Sequence, residues 1–131
     1  MKNFVIYLVE DNPIVRASLV EFLNEIADLE VCGYAATQQE GSQWLRAHES
    51  GWNLAIVDLF LQQGNGLGVL AACRARAPHQ KMVLLTNYAT PEIRRRSGQL
   101  GVDAVFDKST QIEGLMDYCV AQVRQSQGTR H

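Results

Sequence analysis

The sequence predicts an α/β domain built on a parallel β-sheet, and three observations point there. Short apolar runs alternate with helical patterns five times along the chain. The runs are mostly unbroken by polar residues, as in strands covered on both faces. Asp11, Asp58, Thr86 and Lys108, all able to do chemistry, stand at or just beyond the ends of such runs. Strands alternating with helices of this length form a parallel sheet with right-handed crossovers. Ligand sites in such sheets lie outside the carboxyl ends of the strands.

Phe4–Val9 is the first predicted strand. Asn12 and Pro13 then suit the N-cap and first turn of a helix. Ile14, Val15, Leu19, Phe22, Leu23 and Ile26 form its apolar stripe. Val31–Ala35 is the second strand. Thr37 to Glu40 reads as a capping box opening the second helix, with Trp44 and Leu45 inward. Leu54–Val57 is the third strand, and Gly66 to about Ala77 the third helix, ended by Pro78. Lys81–Thr86 is the fourth strand. Thr90 and Pro91 cap a fourth helix that reaches about Leu100 and stops at Gly101. Ala104–Phe106 is the fifth strand. A second capping box, Thr110 to Glu113, opens the fifth helix, which runs to about Val123 with Leu115, Met116, Cys119 and Val120 inward.

With 131 residues the chain fits one domain with one core, expected over residues 1–124 and followed by a flexible polar tail at 125–131. Hydrophobic residues make up 47% and charged residues 20%, an ordinary globular balance. A net charge of −2 offers no electrostatic footprint for direct nucleic-acid or anionic-membrane binding. No run approaches the ~20 apolar residues of a membrane span, and Met1 to Phe4 lacks a signal-peptide pattern, so a cytoplasmic location is the default. Cys32, Cys73 and Cys119 are odd in number and widely spaced, which argues for small buried hydrophobes over disulfides or a zinc site. His48, His79 and His131 are isolated, with no metal or catalytic role expected.

If the first, third and fifth strands are neighbours at one edge, Glu10, Asp11, Asp58 and Lys108 meet there. Like charges gathered in one place cost several kcal/mol unless something offsets them. Carboxylates are the oxygen ligands Mg²⁺ prefers. Lys108 could serve a phosphoryl group as a point charge, Thr86 could offer a hydroxyl, and the loop after Asp58 backbone N–H groups. These are the parts for phosphoryl transfer to a carboxylate.

The segments Leu8-Val9-Glu10-Asp11-Asn12, Ile56-Val57-Asp58-Leu59 with Gly66 eight positions past Asp58, Leu84-Leu85-Thr86 and Phe106-Asp107-Lys108 resemble the receiver domain of bacterial two-component response regulators, over about residues 3 to 124. The resemblance implies a flavodoxin-like fold: five parallel strands in order 2-1-3-4-5, two helices on one face and three on the other. It implies that Asp58 accepts phosphate from the phosphohistidine of a sensor histidine kinase or a histidine phosphotransfer protein. Mg²⁺ would sit on Glu10, Asp11, Asp58 and the Phe60 backbone carbonyl. Thr86 and Lys108 would bind the phosphoryl group, and Thr86 and Phe106 would act as the switch. A downstream protein partner would read the surface of the fourth helix, fifth strand and fifth helix, where a homodimer could also form. No enzymatic turnover is implied beyond self-phosphorylation from phosphodonors and slow self-dephosphorylation.

Three departures stand out. Gln62 occupies a position four past Asp58 where the family often has proline, leaving a more mobile loop. Ser109 follows Lys108 where proline, often cis, is usual, which leaves the isomer of that bond open. Asn87 and Tyr88 follow Thr86 where a small residue is usual. Phe60 and Tyr88 lie at positions flanking the water path to the acyl phosphate in the family, so bulky side chains there are expected to slow hydrolysis.

Competing readings are weaker. A metal-dependent phosphatase would need a second acid two residues past Asp58, where Phe60 stands. Gly64 to Gly68 fails as a dinucleotide fingerprint because Val69 holds the third glycine position. Arg94-Arg95-Arg96 reads as a solvated face or part of a partner surface. A receiver that binds partners without phosphorylation, and the receiver portion of a longer DNA-binding regulator, remain as alternatives.

Overall fold

Five strands and five helices alternate along the computed structural model, which describes residues 3–128. They are β1 (Phe4–Val9), α1 (Pro13–Asn24), β2 (Leu29–Ala35), α2 (Gln38–Ala47), β3 (Leu54–Asp58), α3 (Gly66–Ala72), β4 (Lys81–Thr86), α4 (Pro91–Gln99), β5 (Ala104–Asp107) and α5 (Ile112–Gly128). The strands form one parallel sheet in order β2-β1-β3-β4-β5. This is the flavodoxin-like topology the resemblance implied.

Strand periodicity sorts the core into two layers, because successive side chains point to opposite faces. Val9, Ala55, Val57, Met82 and Leu84 pack with Leu45 of α2 and with Leu67, Val69 and Leu70 of α3, and Ile93 of α4 lies against that layer. Ile6, Leu8, Leu54, Ile56, Val83 and Leu85 pack with Leu19 and Leu23 of α1 and with Leu115, Cys119 and Val123 of α5. Leu8, Val57 and Leu84 are wholly buried. Each such side chain contributes about 1.5–3 kcal/mol of transfer free energy, so the central strands are the rigid frame on which the strand ends are held.

The helix starts follow the capping expectations. Asn12 accepts the N–H groups of Ile14 and Val15, Thr37 that of Glu40 and Thr90 that of Ile93, and Asn65, for which no cap was expected, accepts that of Gly68. Helix α5 starts differently from the expected capping box. Asp107 accepts the Ser109 N–H and hydroxyl, and the Gln111 side-chain oxygen accepts the Asp107 N–H.

Several expectations are corrected. Helix α3 stops at Ala72, not near Ala77. Arg76 is the reason: its guanidinium donates to the carbonyls of Cys73 and Gly101 and pairs with Asp103 at 2.8 Å, while Nε donates to Gln80. That clamp occupies the Cys73 carbonyl, which another helical turn would use, and ties the chain beyond it to Gln80, Gly101 and Asp103. In α1 only part of the stripe faces inward, since Ile14 and Phe22 are exposed and sit off the row formed by Val15, Leu19, Leu23 and Ile26. Cys32 is exposed, whereas Cys73 and Cys119 are buried as expected. The register between β1 and β2 jumps from Ile6↔Val31 to Tyr7↔Gly33, so Cys32 is the extra residue of a β-bulge. Helix α5 continues past Val123 through Gly128, and Gln127 donates to Asp28 at 2.8 Å. The rest of the expected tail, including His131, lies outside the described residues. No helix among the described residues is long and apolar enough to cross a membrane.

Candidate functional site

The register aligns the carboxyl ends of the three central strands. Val9 pairs with Val57, Asp58 with Leu85 and Thr86 with Asp107. Glu10 follows Val9 and keeps the sheet pattern, donating its N–H to Ala35. Glu10, Asp58 and Thr86 are therefore carried to one edge on strands that cannot shift without disturbing the core. They are 2%, 8% and 1% exposed, which makes them buried polar groups in need of partners.

Lys108 supplies one partner to two of them. Its Nζ donates to Glu10 Oε1 at 2.8 Å and to Asp58 Oδ2 at 3.0 Å. Its backbone N–H donates to the Thr86 carbonyl at 3.0 Å, which fixes where the side chain starts. The other Glu10 oxygen accepts the Asn12 N–H at 3.0 Å. Carboxylate oxygens from Glu10, Asp11 and Asp58 lie within 4.8 Å of one another. Three carboxylates against one ammonium leave an excess negative charge in a largely buried place.

The electrostatics follow from that imbalance. Burial, then the neighbouring Glu10 charge, push the Asp58 carboxyl up to about 6 against the attraction of Lys108. Burial acts to lower the Lys108 ammonium, but its hydrogen bond to Glu10 and the Asp58 charge outweigh this and raise it. A hard, all-oxygen donor set with uncompensated charge fits a Mg²⁺-type cation.

The loop after Asp58 turns back sharply. Gly66 donates to the Leu59 carbonyl at 2.8 Å, and Phe60 pairs with Asn65. A Cβ on Gly66 would run into the Asp58 carbonyl, so the return passes too close for any other residue. The Gln38 side chain accepts the Asn65 N–H at 3.0 Å and braces the loop from α2.

The remaining expected residues sit around this centre. Thr86 Oγ1 accepts the Tyr88 N–H at 3.1 Å. Phe60 and Tyr88 are both exposed and meet edge to face, with ring centroids 5.0 Å apart. Phe106 is half-buried, packed on the α1/α5 layer with its ring 5.7 Å from Tyr118. Gln62 and Asn87 are exposed. The Lys108–Ser109 bond is trans, since no cis peptide occurs among the described residues. His48 stacks on Trp44 at 4.0 Å and bonds its carbonyl, a local role away from the carboxylates.

Two contributors escaped the sequence reading. Arg16 donates to the Glu10 carbonyl at 2.9 Å, and its guanidinium lies 3.8 Å from the centre of the Tyr34 ring. A cation in the first turn of α1 opposes the helix dipole, and that was the available signal. Gln38 gave none, because its contact spans 27 positions of sequence. A cleft of about 640 Å³ lies at the other end of the sheet, beside Phe4, Asn53 and Lys81. It gathers no comparable set of ionisable groups, so volume does not mark the site here.

Residues 6–119 match the family described as the response regulator receiver domain. The response regulator protein VraR of Staphylococcus aureus is 26% identical over 112 residues, covering 86% of this chain and 53% of that protein. The chain thus spans about half the length of the curated relatives it matches. Among solved structures, the signal receiver domain of the putative response regulator NarL from Mycobacterium tuberculosis superposes with a TM-score of 0.79 at 20% identity, covering 99% of this chain and 100% of that one. A LuxR-family DNA-binding response regulator from Staphylococcus aureus gives 0.78 at 22% identity, with 91% and 98% covered. The structural likenesses establish the fold, and the family match, which takes in the ends of all three central strands and Lys108, places this chain among the receiver domains of two-component response regulators.

Proposed function

We propose that the chain is a phosphorylatable switch in which Asp58 accepts a phosphoryl group from the phosphohistidine of a sensor histidine kinase or a histidine phosphotransfer protein. The observation that carries this reading is the meeting of Glu10, Asp58 and Lys108 at hydrogen-bond distance, with Asp11 beside them. A carboxylate oxygen of Asp58 attacks phosphorus, the N–P bond of the donor breaks, and the imidazole leaves with its electron pair and takes up a proton. Glu10, Asp11, Asp58 and the Phe60 carbonyl would hold Mg²⁺, which supplies neutralisation of charge on the transferring group. Lys108, released from its carboxylates, turns its ammonium to a phosphoryl oxygen, and the Thr86 hydroxyl donates to another. The loops after β4 and β5 follow, and Phe106 repacks with them.

The product is an altered α4-β5-α5 surface for a downstream protein. Phosphorylation adds roughly two negative charges and three acceptor oxygens, enough to redirect both Lys108 and Thr86. Phe60 and Tyr88 cover the approach of water and so set the phosphoprotein lifetime. The test is Mg²⁺-dependent labelling of wild type and Asp58→Ala by a phosphohistidine donor and by acetyl phosphate. Label that persists on Asp58→Ala, or none on wild type, overturns the reading.

A second reading is favoured by the length of the curated relatives: that these residues serve as the receiver of a longer DNA-binding regulator. The two differ in what the switched surface controls. The length of the native gene product, and operator binding by it, decide between them.

A further inference from the structure

Arg94 on α4 is exposed, yet each of its three guanidinium nitrogens donates a hydrogen bond. Nε donates to the Ala89 carbonyl, Nη1 to the Val105 carbonyl and Nη2 to Gln111 Oε1, all at 3.2 Å. The three acceptors belong to three different segments. Ala89 lies in the loop between Thr86 and α4. Val105 is on β5, the edge strand, next to Phe106. Gln111 lies between Lys108 and α5, and the same Oε1 accepts the Asp107 N–H at 2.8 Å.

These segments are the ones that leave the carboxylate site. Thr86 Oγ1 holds the Tyr88 N–H at 3.1 Å, so a turn of the threonine hydroxyl is felt one residue before Ala89. Lys108 leads directly into the Asp107–Gln111 turn, whose closing bond is Gln111 N–H to Asp107 at 2.8 Å. A guanidinium is a planar fork with a fixed geometry. It cannot keep three acceptors at bonding distance if the two loops move relative to one another.

We propose that Arg94 is a resting-state latch, joining the loop after β4 to β5 and to the turn before α5, which the switch started at Asp58 must loosen. This rests on the phosphoacceptor reading of that site. The bonds are long and solvated, each worth little alone. Such a clasp biases an equilibrium between two conformations without freezing it. Gln111 sets its strength, because a carboxylate there would make the contact charge-assisted while still accepting the Asp107 N–H.

Calorimetric titration of the metal-bound protein with beryllofluoride, a stand-in for the phosphoryl group, tests the latch in both directions. Arg94→Gln should bind about three- to tenfold more tightly than wild type, the scale of losing one or two exposed hydrogen bonds. Gln111→Glu should bind more weakly. Hydrogen exchange without beryllofluoride should be faster in Arg94→Gln across α4 and β5, with the β1 and β3 amides unchanged. Equal or weaker binding by Arg94→Gln, or tighter binding by Gln111→Glu, overturns the latch, and a merely structural role for Arg94 would give that first result. If wild type ignores beryllofluoride altogether, the phosphoacceptor reading fails and the latch fails with it.

Discussion

Replacing Asp58 with asparagine should make the metal-free protein more stable at neutral pH, although it removes half of an ion pair. The carboxyl ionises near 6 in the fold against an ordinary value of 3.8. At about 1.4 kcal/mol per pH unit, ionised Asp58 costs the fold about 3 kcal/mol. The direction follows from the raised value. The folded state favours the protonated form, so the contribution is fully present below about pH 4 and is lost as the pH climbs through 6. Asparagine keeps the shape and an acceptor for Lys108 but never ionises. Wild type and Asp58→Asn should therefore have similar stability near pH 4, draw apart between about pH 4 and 6, and keep a constant gap above that, the variant leading by about 3 kcal/mol. Urea denaturation across this range in the presence of a chelator measures the gap. Mg²⁺ at a hundredfold excess over its dissociation constant should return about 2.7 kcal/mol to wild type and little to the variant. A gap that does not change with pH, or a variant less stable than wild type at pH 8, would refute the electrostatic account.

Lys108→Met should leave Glu10 and Asp58 buried without their ammonium, costing about 3–5 kcal/mol at neutral pH, and should abolish labelling by acetyl phosphate; a labelled, fully stable variant would contradict the pairing. Phe60→Ala and Tyr88→Ala should each shorten the phosphoprotein half-life, which a decay time course after donor removal measures; unchanged lifetimes would remove the water-shielding role. Gly66→Ala should destabilise by more than about 2 kcal/mol, because its Cβ meets backbone that cannot move aside; thermal unfolding close to wild type would show that the loop can relax.

How much could be read from the chain alone follows from the range of the forces involved. Strand order apart, the elements were legible because their signals are local. An apolar run makes a buried strand, and Asn12, Thr37 and Thr90 cap helices through contacts two or three residues away. Asp11, Asp58, Thr86 and Lys108 could be placed at one edge because parallel strands put their carboxyl ends on the same side. The resemblance supplied the strand order and the expected roles.

What the sequence left open depends on partners far along the chain. Helix α3 ends early because Arg76 reaches Gly101 and Asp103, 25 and 27 residues away. Cys32 is turned outward by a bulge that exists only in the pairing of β1 with β2. The bridge Lys108 makes to two carboxylates spans 98 and 50 residues, and Arg94 finds Gln111 across 17. Local patterns of apolar spacing and caps fix the elements, since those energies are felt within a turn or two of chain. The charge balance at Asp58 and the clasp on α4 were decided only when folding brought distant polar groups out of water and into one another's reach.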